Sequence, residues 1–326
     1  MRGTTVAVGA VGMDGRAVSE AVGRQIERAV VGKSHVTRLL LTALVADGHV
    51  LLVDVPGVAK TRLARSLARL TELTMGRVQG TPDLLPQDIT GGPIYDLKNS
   101  DLVFRPGPVF HNILLVDEIN RTSPRTQAAL LECMEERQVT ADGVTHPLPD
   151  PFMVIATQNP IEMEGTFPLP EAELDRFLLS ISLGYPDESD ERRLIDSFSA
   201  ADPLSDVTPV LSADTLRNAA ASAQMVTLNE TIRDYLVAVC RKTRNHPLVA
   251  LGASPRATVR YAQVARTYAW LHGRTYVTPD DIKLLAVPVL AHRLVPSSSA
   301  AVSRLSAKSL VDQILDDVPV PVEDLP

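Results

Sequence analysis

His49-Val50-Leu51-Leu52-Val53 runs into Asp54-Val55-Pro56-Gly57-Val58-Ala59-Lys60-Thr61, and Arg62 to Leu70 continues in an amphipathic helical pattern. Strand, turn and helix in that order are the context that a phosphate-binding loop requires. The start of such a helix turns free backbone N–H groups toward a polyphosphate, a lysine ammonium reaches the terminal phosphates, and a hydroxyl holds magnesium. Lys60 and Thr61 take the last two roles, with Gly57, Val58 and Ala59 in the loop. Both glycines of the generic G-x-x-x-x-G-K-[ST] pattern are missing, because Asp54 and Ala59 stand in their places. Alone, the stretch fits equally well a helix that merely opens at the surface.

A second stretch tips that balance. Ile113-Leu114-Leu115-Val116 ends in Asp117-Glu118, a buried strand that delivers two carboxylates to its carboxyl edge, where open α/β sheets bind ligands. Asp117 there would hold magnesium through water and Glu118 would polarise an attacking water, so that two adjacent acids serve two jobs. An acidic N-cap after a strand is the plainer alternative, and the phosphate-loop candidate upstream counts against it. A third strand, Phe152 to Ala156, ends in Thr157-Gln158-Asn159-Pro160, where the Asn159 amide could orient the water opposite Glu118. On its own Asn159 reads as a turn residue.

Outward from these sites, apolar runs at 49–53, 77–80, 113–116, 152–156 and 177–183 alternate with helix-like segments, as buried parallel strands do. Val18, Val22, Ile26 and Val30, then Leu40, Leu44 and Val45, keep helical spacing, with a break at Val31-Gly32. After Tyr185-Pro186 the pattern is charged and then helical to near Ile314. The division expected is a flexible start (1–16), an α/β domain (17–186), a linker region (187–210), a helical domain (211–316) and a disordered Pro-rich acidic tail (317–326).

The composition excludes several classes. Of 326 residues, 45% are hydrophobic and 22% charged, which supports a real core in an ordinary soluble protein. Aromatics at 4% and a net charge of -7 give neither a base-stacking platform nor the basic footprint of a nucleic-acid protein. Cys133 and Cys240 are the only cysteines, so a disulfide framework is not expected, and no His-x-x-x-His or Cys-x-x-Cys spacing points to a transition metal. Met1 to Met13 makes a poor signal peptide, and no apolar run approaches the length of a membrane span; the expected location is the cytoplasm.

Further stretches complete a pattern: Thr81-Pro82-Asp83-Leu84-Leu85-Pro86, Phe104-Arg105-Pro106-Gly107-Pro108-Val109-Phe110, Val116-Asp117-Glu118-Ile119-Asn120-Arg121, Leu169 to Phe177, and Ser254-Pro255-Arg256. With Val55 to Thr61 and Ala156 to Pro160, in that order, the sequence resembles the MoxR family of AAA+ ATPases. The resemblance implies an αβα sandwich around a parallel sheet, followed by a small all-α lid. It implies ATP and magnesium, with Lys60 and Thr61 as Walker A, Asp117 and Glu118 as Walker B, and Asn159 as sensor one. It places Val31-Gly32 near the adenine. Arg176 resembles the finger that reaches a neighbour's ATP, and Arg256 resembles sensor two in same-chain contact with the terminal phosphate. Segments 81–103 and 138–149, the latter with an Asp142-Gly143 hairpin turn, resemble insertions that touch substrate. The implied function is a remodelling ATPase that assembles as a hexameric ring of its own copies and works with a von Willebrand factor A domain partner. A nucleic-acid motor on the same chassis is the alternative, and the acidic charge counts against it.

Overall fold

The computed structural model describes residues 14–30, 32–54, 60–98, 100–159, 165–197 and 207–321. The chain runs α1 (Gly15–Ala29), α2 (Ser34–Val45), β1 (His49–Val53), α3 (Lys60–Leu70), β2 (Met75–Gln79), α4 (Pro86–Thr90), β3 (Gly91–Asp96), β4 (Asp101–Pro106) and β5 (Ile113–Asp117). It continues through α5 (Pro124–Glu136), β6 (Gln138–Ala141), β7 (Val144–Pro147), β8 (Met153–Gln158), α6 (Glu171–Leu174), β9 (Phe177–Ile181) and α7 (Glu188–Ser197). The helices α8 (Ala213–Gln224), α9 (Glu230–Asn245), α10 (Pro255–Leu271), α11 (Pro279–Leu290), α12 (Ser298–Val302) and α13 (Ala307–Asp317) follow, with β10 (Val249–Leu251) paired to β11 (Val295–Pro296).

Five strands form one sheet in the order β2-β5-β8-β1-β9, and every pairing in it is parallel. Alternation along each strand builds two cores. Val50, Leu52, Ile113, Leu115 and Ile155 enter one with α1, α2 and α3, while Leu51, Leu114, Val116, Val154 and Ala156 enter the other with α5. The first core continues without a break into the helical domain through Tyr261, Val264 and Leu285. The all-α lid therefore packs beside β9 and behind the α1–α2 layer, where α10 meets α1 and α2 and α11 meets β9.

The five apolar runs of the sequence are the five sheet strands. Helix α1 starts at Gly15, ahead of the expected residue 17, because the Asp14 carboxylate accepts from Arg16 N and caps it. The expected linker contains α7, which Asp187 opens by accepting from Asp190 N at 2.8 Å. The flexible start, the tail beyond residue 321 and most of the Ala201 to Pro209 link lie outside the described residues.

Two antiparallel hairpins leave the sheet. β6–β7 turns on Asp142 (φ 50°) and Gly143 (φ 77°), as the Asp-Gly pair predicts. The 81–103 segment contains α4 and the hairpin β3–β4, whose strand runs on to Pro106. The hairpins touch through Phe104, stacked on His146 with 4.1 Å between ring centroids, and Phe110 packs edge-on against Phe104 at 5.7 Å. Among the described residues no helix is long and apolar enough to cross a membrane.

His49 ties the amino ends of β1 and β8 to the carboxyl end of α5. Val154 N donates to its Nδ1 at 3.0 Å, so Nε2 carries the proton and donates to Met134 O at 3.1 Å. Burial, aided by the Arg137 charge, lowers its pKa to about 3. The folded state thus resists protonation that the unfolded chain accepts, and stability present above about pH 6.5 is lost as pH falls toward 3. Urea denaturation at pH 7.5 and pH 5 should show a smaller acid loss in His49→Gln than in the unsubstituted protein, by about 1 to 2 kcal/mol.

Candidate functional site

The carboxyl edge of the parallel sheet gathers the ends of β1, β5 and β8, and with them Asp54, Lys60, Thr61, Asp117, Glu118 and Asn159. Lys60 is the first residue of α3, and its Nζ donates to Asp54 O at 2.7 Å. The next residue, Thr61, directs Oγ1 to Asp117 Oδ2 at 3.4 Å, at the carboxyl end of β5. A hydroxyl and a carboxylate converging at a helix start form a hard-oxygen donor pair that suits magnesium. Asn159, buried at the end of β8, accepts from Asn120 Nδ2 at 3.5 Å. Gly57, Val58, Ala59 and Val31 lie outside the described residues. Gly32 has φ 72° and stands against the Asp190 carboxylate, so close that a Cβ would lie 1.6 Å from Oδ2.

Glu118 follows β5 in the left-handed region, at φ 58° and ψ 52°. A non-glycine residue there stores about 1 kcal/mol or more and persists only where its surroundings hold it. Thr157 supplies the hold: its Oγ1 accepts from Glu118 N at 2.8 Å and lies 3.5 Å from Asp117 Oδ1. On the other side, Gly80 lets the end of β2 lie flat on this turn, since a Cβ would meet Glu118 O at 2.2 Å. The Glu118 Oε2 accepts from Gln79 Nε2 (3.1 Å) and Arg121 (3.2 Å), and Arg77 Nε pairs with Asp117 Oδ2 at 2.9 Å.

Asp54 explains the departure from the generic phosphate loop. Its Oδ2 accepts from Leu183 N (2.6 Å), Gly184 N (2.7 Å) and Ser182 Oγ (3.0 Å), and Lys33 donates to the Leu183 and Gly184 carbonyls. A glycine here would leave those donors unpaired. Arg77, Gln79, Thr157 and the Asp54 carboxylate were not singled out from the sequence. The threonine was visible in the Thr157-Gln158-Asn159 run, but its contact to the next strand was not.

Arg176 and Arg256 stand at the opposite edge. Both line a cavity of about 120 Å³ at the amino ends of β1 and β9, together with Arg137, Arg260, Arg293 and Glu135. Arg256 donates to Glu135 Oε2 at 2.7 Å, and this bond holds the Glu135 carboxyl below its usual range. Arg176 makes no salt bridge to Asp175, whose carboxylate is taken by Arg293 Nε (2.7 Å) and Ser254 Oγ (2.9 Å). Arg256 thus stands at the amino edge, facing Glu135, rather than beside Lys60. Asp175 pins the start of α10 to the amino end of β9, and a five-residue strand, about 16 Å long, separates that edge from Lys60.

The comparisons match both parts of this architecture. The family model described as ATPase family associated with various cellular activities (AAA) matches residues 49–179, and that of the AAA lid domain matches 241–314. A Bacillus subtilis protein, YeaC, named as uncharacterized, is 47% identical over 91% of this chain and 93% of its own length. Chaperone MoxR1 of Mycobacterium tuberculosis is 40% identical over 91% of this chain and 81% of its own. The chain belongs to the MoxR family of AAA+ ATPases. A solved structure of a candidate ATPase from Cytophaga hutchinsonii, 36% identical, overlays this MoxR chain with a TM-score of 0.88, covering 94% of it and 96% of that chain.

The lid of this MoxR protein hangs on a buried charge. Arg293, with a side chain 2% exposed, keeps Asp175 as its carboxylate partner and also donates to Phe177 O at 2.6 Å. Asp175→Asn should destabilise the protein by ~3 kcal/mol, because it leaves the guanidinium buried without its counter-charge. Urea denaturation measures that cost; a loss under 1 kcal/mol would contradict the joint.

Proposed function

We propose that this chain hydrolyses ATP with magnesium in an assembly of its own copies, each site completed by arginines of a neighbour, and uses the cycle to remodel partner proteins. The observation that carries this reading is the separation of the two halves. Lys60, Thr61, Asp117, Glu118 and Asn159 share the carboxyl edge, whereas Arg176 and Arg256 share the other. A monomer brings its own arginines to no phosphate held at Lys60. Head-to-tail packing, in which one copy's amino edge faces the next copy's carboxyl edge, supplies them and closes a ring.

In this reading Lys60 binds the terminal phosphates, and the loop 57–59 and Gly32 hold the rest of the nucleotide with Val31. Thr61 and, through water, Asp117 would hold magnesium, which when bound would supply charge neutralisation on the leaving phosphates. Glu118 takes a proton from water as its oxygen bonds to the terminal phosphorus and the bridging P–O bond breaks, giving ADP and phosphate. Asn159 orients that water, and the neighbour's Arg176 and Arg256 stabilise the charge that develops. The name of the M. tuberculosis relative supports a chaperone role. The exposed tip of β3–β4, with Tyr95, Leu97 and Leu102, suits contact with a protein client. Following the family resemblance, the assembly is a hexamer that works with a von Willebrand factor A domain protein.

A mixing experiment tests the shared site. Lys60→Ala and Arg176→Ala each lose ATPase activity by about a thousandfold, and a mixture recovers a measurable fraction, because some interfaces join an intact Lys60 to an intact Arg176. No recovery in rings shown to be mixed would contradict the reading.

A further inference from the structure

Arg77 plays no part in the reaction as described, yet it holds the acid on which magnesium depends. It lies on β2, two residues before Gln79, so both side chains leave the same face of the strand, while Val78 between them enters the core. In the register of the sheet Gln79 stands opposite Asp117, and Arg77 stands opposite Leu115. The Arg77 guanidinium reaches along that face and places Nε 2.9 Å from Asp117 Oδ2. This is the oxygen that Thr61 Oγ1 approaches at 3.4 Å. The Arg77 guanidinium and the Thr61 hydroxyl thus converge on one carboxylate oxygen.

We infer that Arg77 is a built-in competitor of magnesium: it neutralises Asp117 until the metal arrives, and so raises the magnesium concentration at which nucleotide binding engages. The inference rests on the assignment of magnesium to Thr61 and Asp117.

Three features support it. The Asp117 side chain is only 10% exposed, and a carboxylate so enclosed requires a counter-charge. Among the described residues Arg77 is its one salt-bridge partner. The Arg77 side chain is 46% exposed, so it is free to withdraw without disturbing the core. Its NH2 already touches Gln79 Oε1 at 3.3 Å, a foothold that keeps it nearby after release. A guanidinium and a divalent ion within several ångströms of each other repel, and one positive charge removed from a metal site strengthens the metal's hold.

The sign of the effect separates this role from a merely structural one. A residue that only orients Asp117, or only braces β2, would weaken magnesium binding when lost. The test uses the full chain and a fluorescent, non-hydrolysable ATP analogue at one fixed concentration, with magnesium titrated and binding read by anisotropy. The nucleotide's own affinity for magnesium cancels between variants. Arg77→Met and Arg77→Gln should lower the midpoint about tenfold, whereas Arg77→Lys, which keeps the charge, should stay within about twofold of the unsubstituted protein. Without magnesium, the two neutral variants should bind the analogue more weakly, since a positive charge near the phosphates is gone. Midpoints that rise or stay unchanged in both neutral variants overturn the inference while leaving the nucleotide site intact. If the unsubstituted protein binds no analogue at any magnesium concentration, the nucleotide reading falls and takes the inference with it.

Discussion

One carboxylate joins the two parts of the molecule. Asp175, at the foot of β9, accepts from Arg293 Nε with one oxygen and from Ser254 Oγ with the other. Ser254 is also the N-cap of α10, accepting from Ala257 N at 3.0 Å. The joint therefore fixes where the first turn of α10 lies, and with it Arg256. His292 adds a bond from Nε2 to Phe177 O, so the same strand end holds the lid at successive residues. A buried pair of this kind contributes little net stability against an apolar alternative, but it specifies one arrangement. That arrangement puts the lid beside β9 and behind the α1–α2 layer, with Arg256 at the amino ends of the strands.

The parallel sheet supplies the complementary constraint. All five strands run the same way, so the two edges differ in chemistry by construction. The carboxyl edge carries Asp117, Glu118 and the start of α3; the amino edge carries Arg176 and Arg256. Each edge has its own local device. At the carboxyl edge, Thr157 and Gly80 hold Glu118 in a left-handed conformation that an unsupported glutamate would leave. At the amino edge, Arg137, itself at φ 56°, pairs with Asp47 and lies over the Phe152 ring.

Most of the fold was legible in the sequence because its signals are local. Short apolar runs after glycine or before acid marked the strands, and Asp142-Gly143 marked a hairpin. The β3–β4 hairpin left a weaker trace, since its faces are largely solvated and its alternation does not serve a core. What the sequence concealed was long-range. The acid at position 54 looks like a lapse from the glycine pattern until the strand end at 182–184 is seen to need its oxygen. Arg77 and Asp117 are forty residues apart, and only the register of β2 on β5 brings them together. The resemblance gave Arg256 its role, while the edge of the sheet it faces depends on Asp175 and Arg293.

The central proposal is that a nucleotide site is completed between two copies, with Lys60 on the carboxyl edge of one and Arg176 on the amino edge of the other. Its most direct test is the ATPase rate per chain as a function of protein concentration, with the mass of the particle measured by light scattering over the same range. The account predicts a rate per chain that rises with concentration in step with assembly and falls to the background of the monomer on dilution. A full rate per chain at concentrations where the protein is monomeric would contradict it.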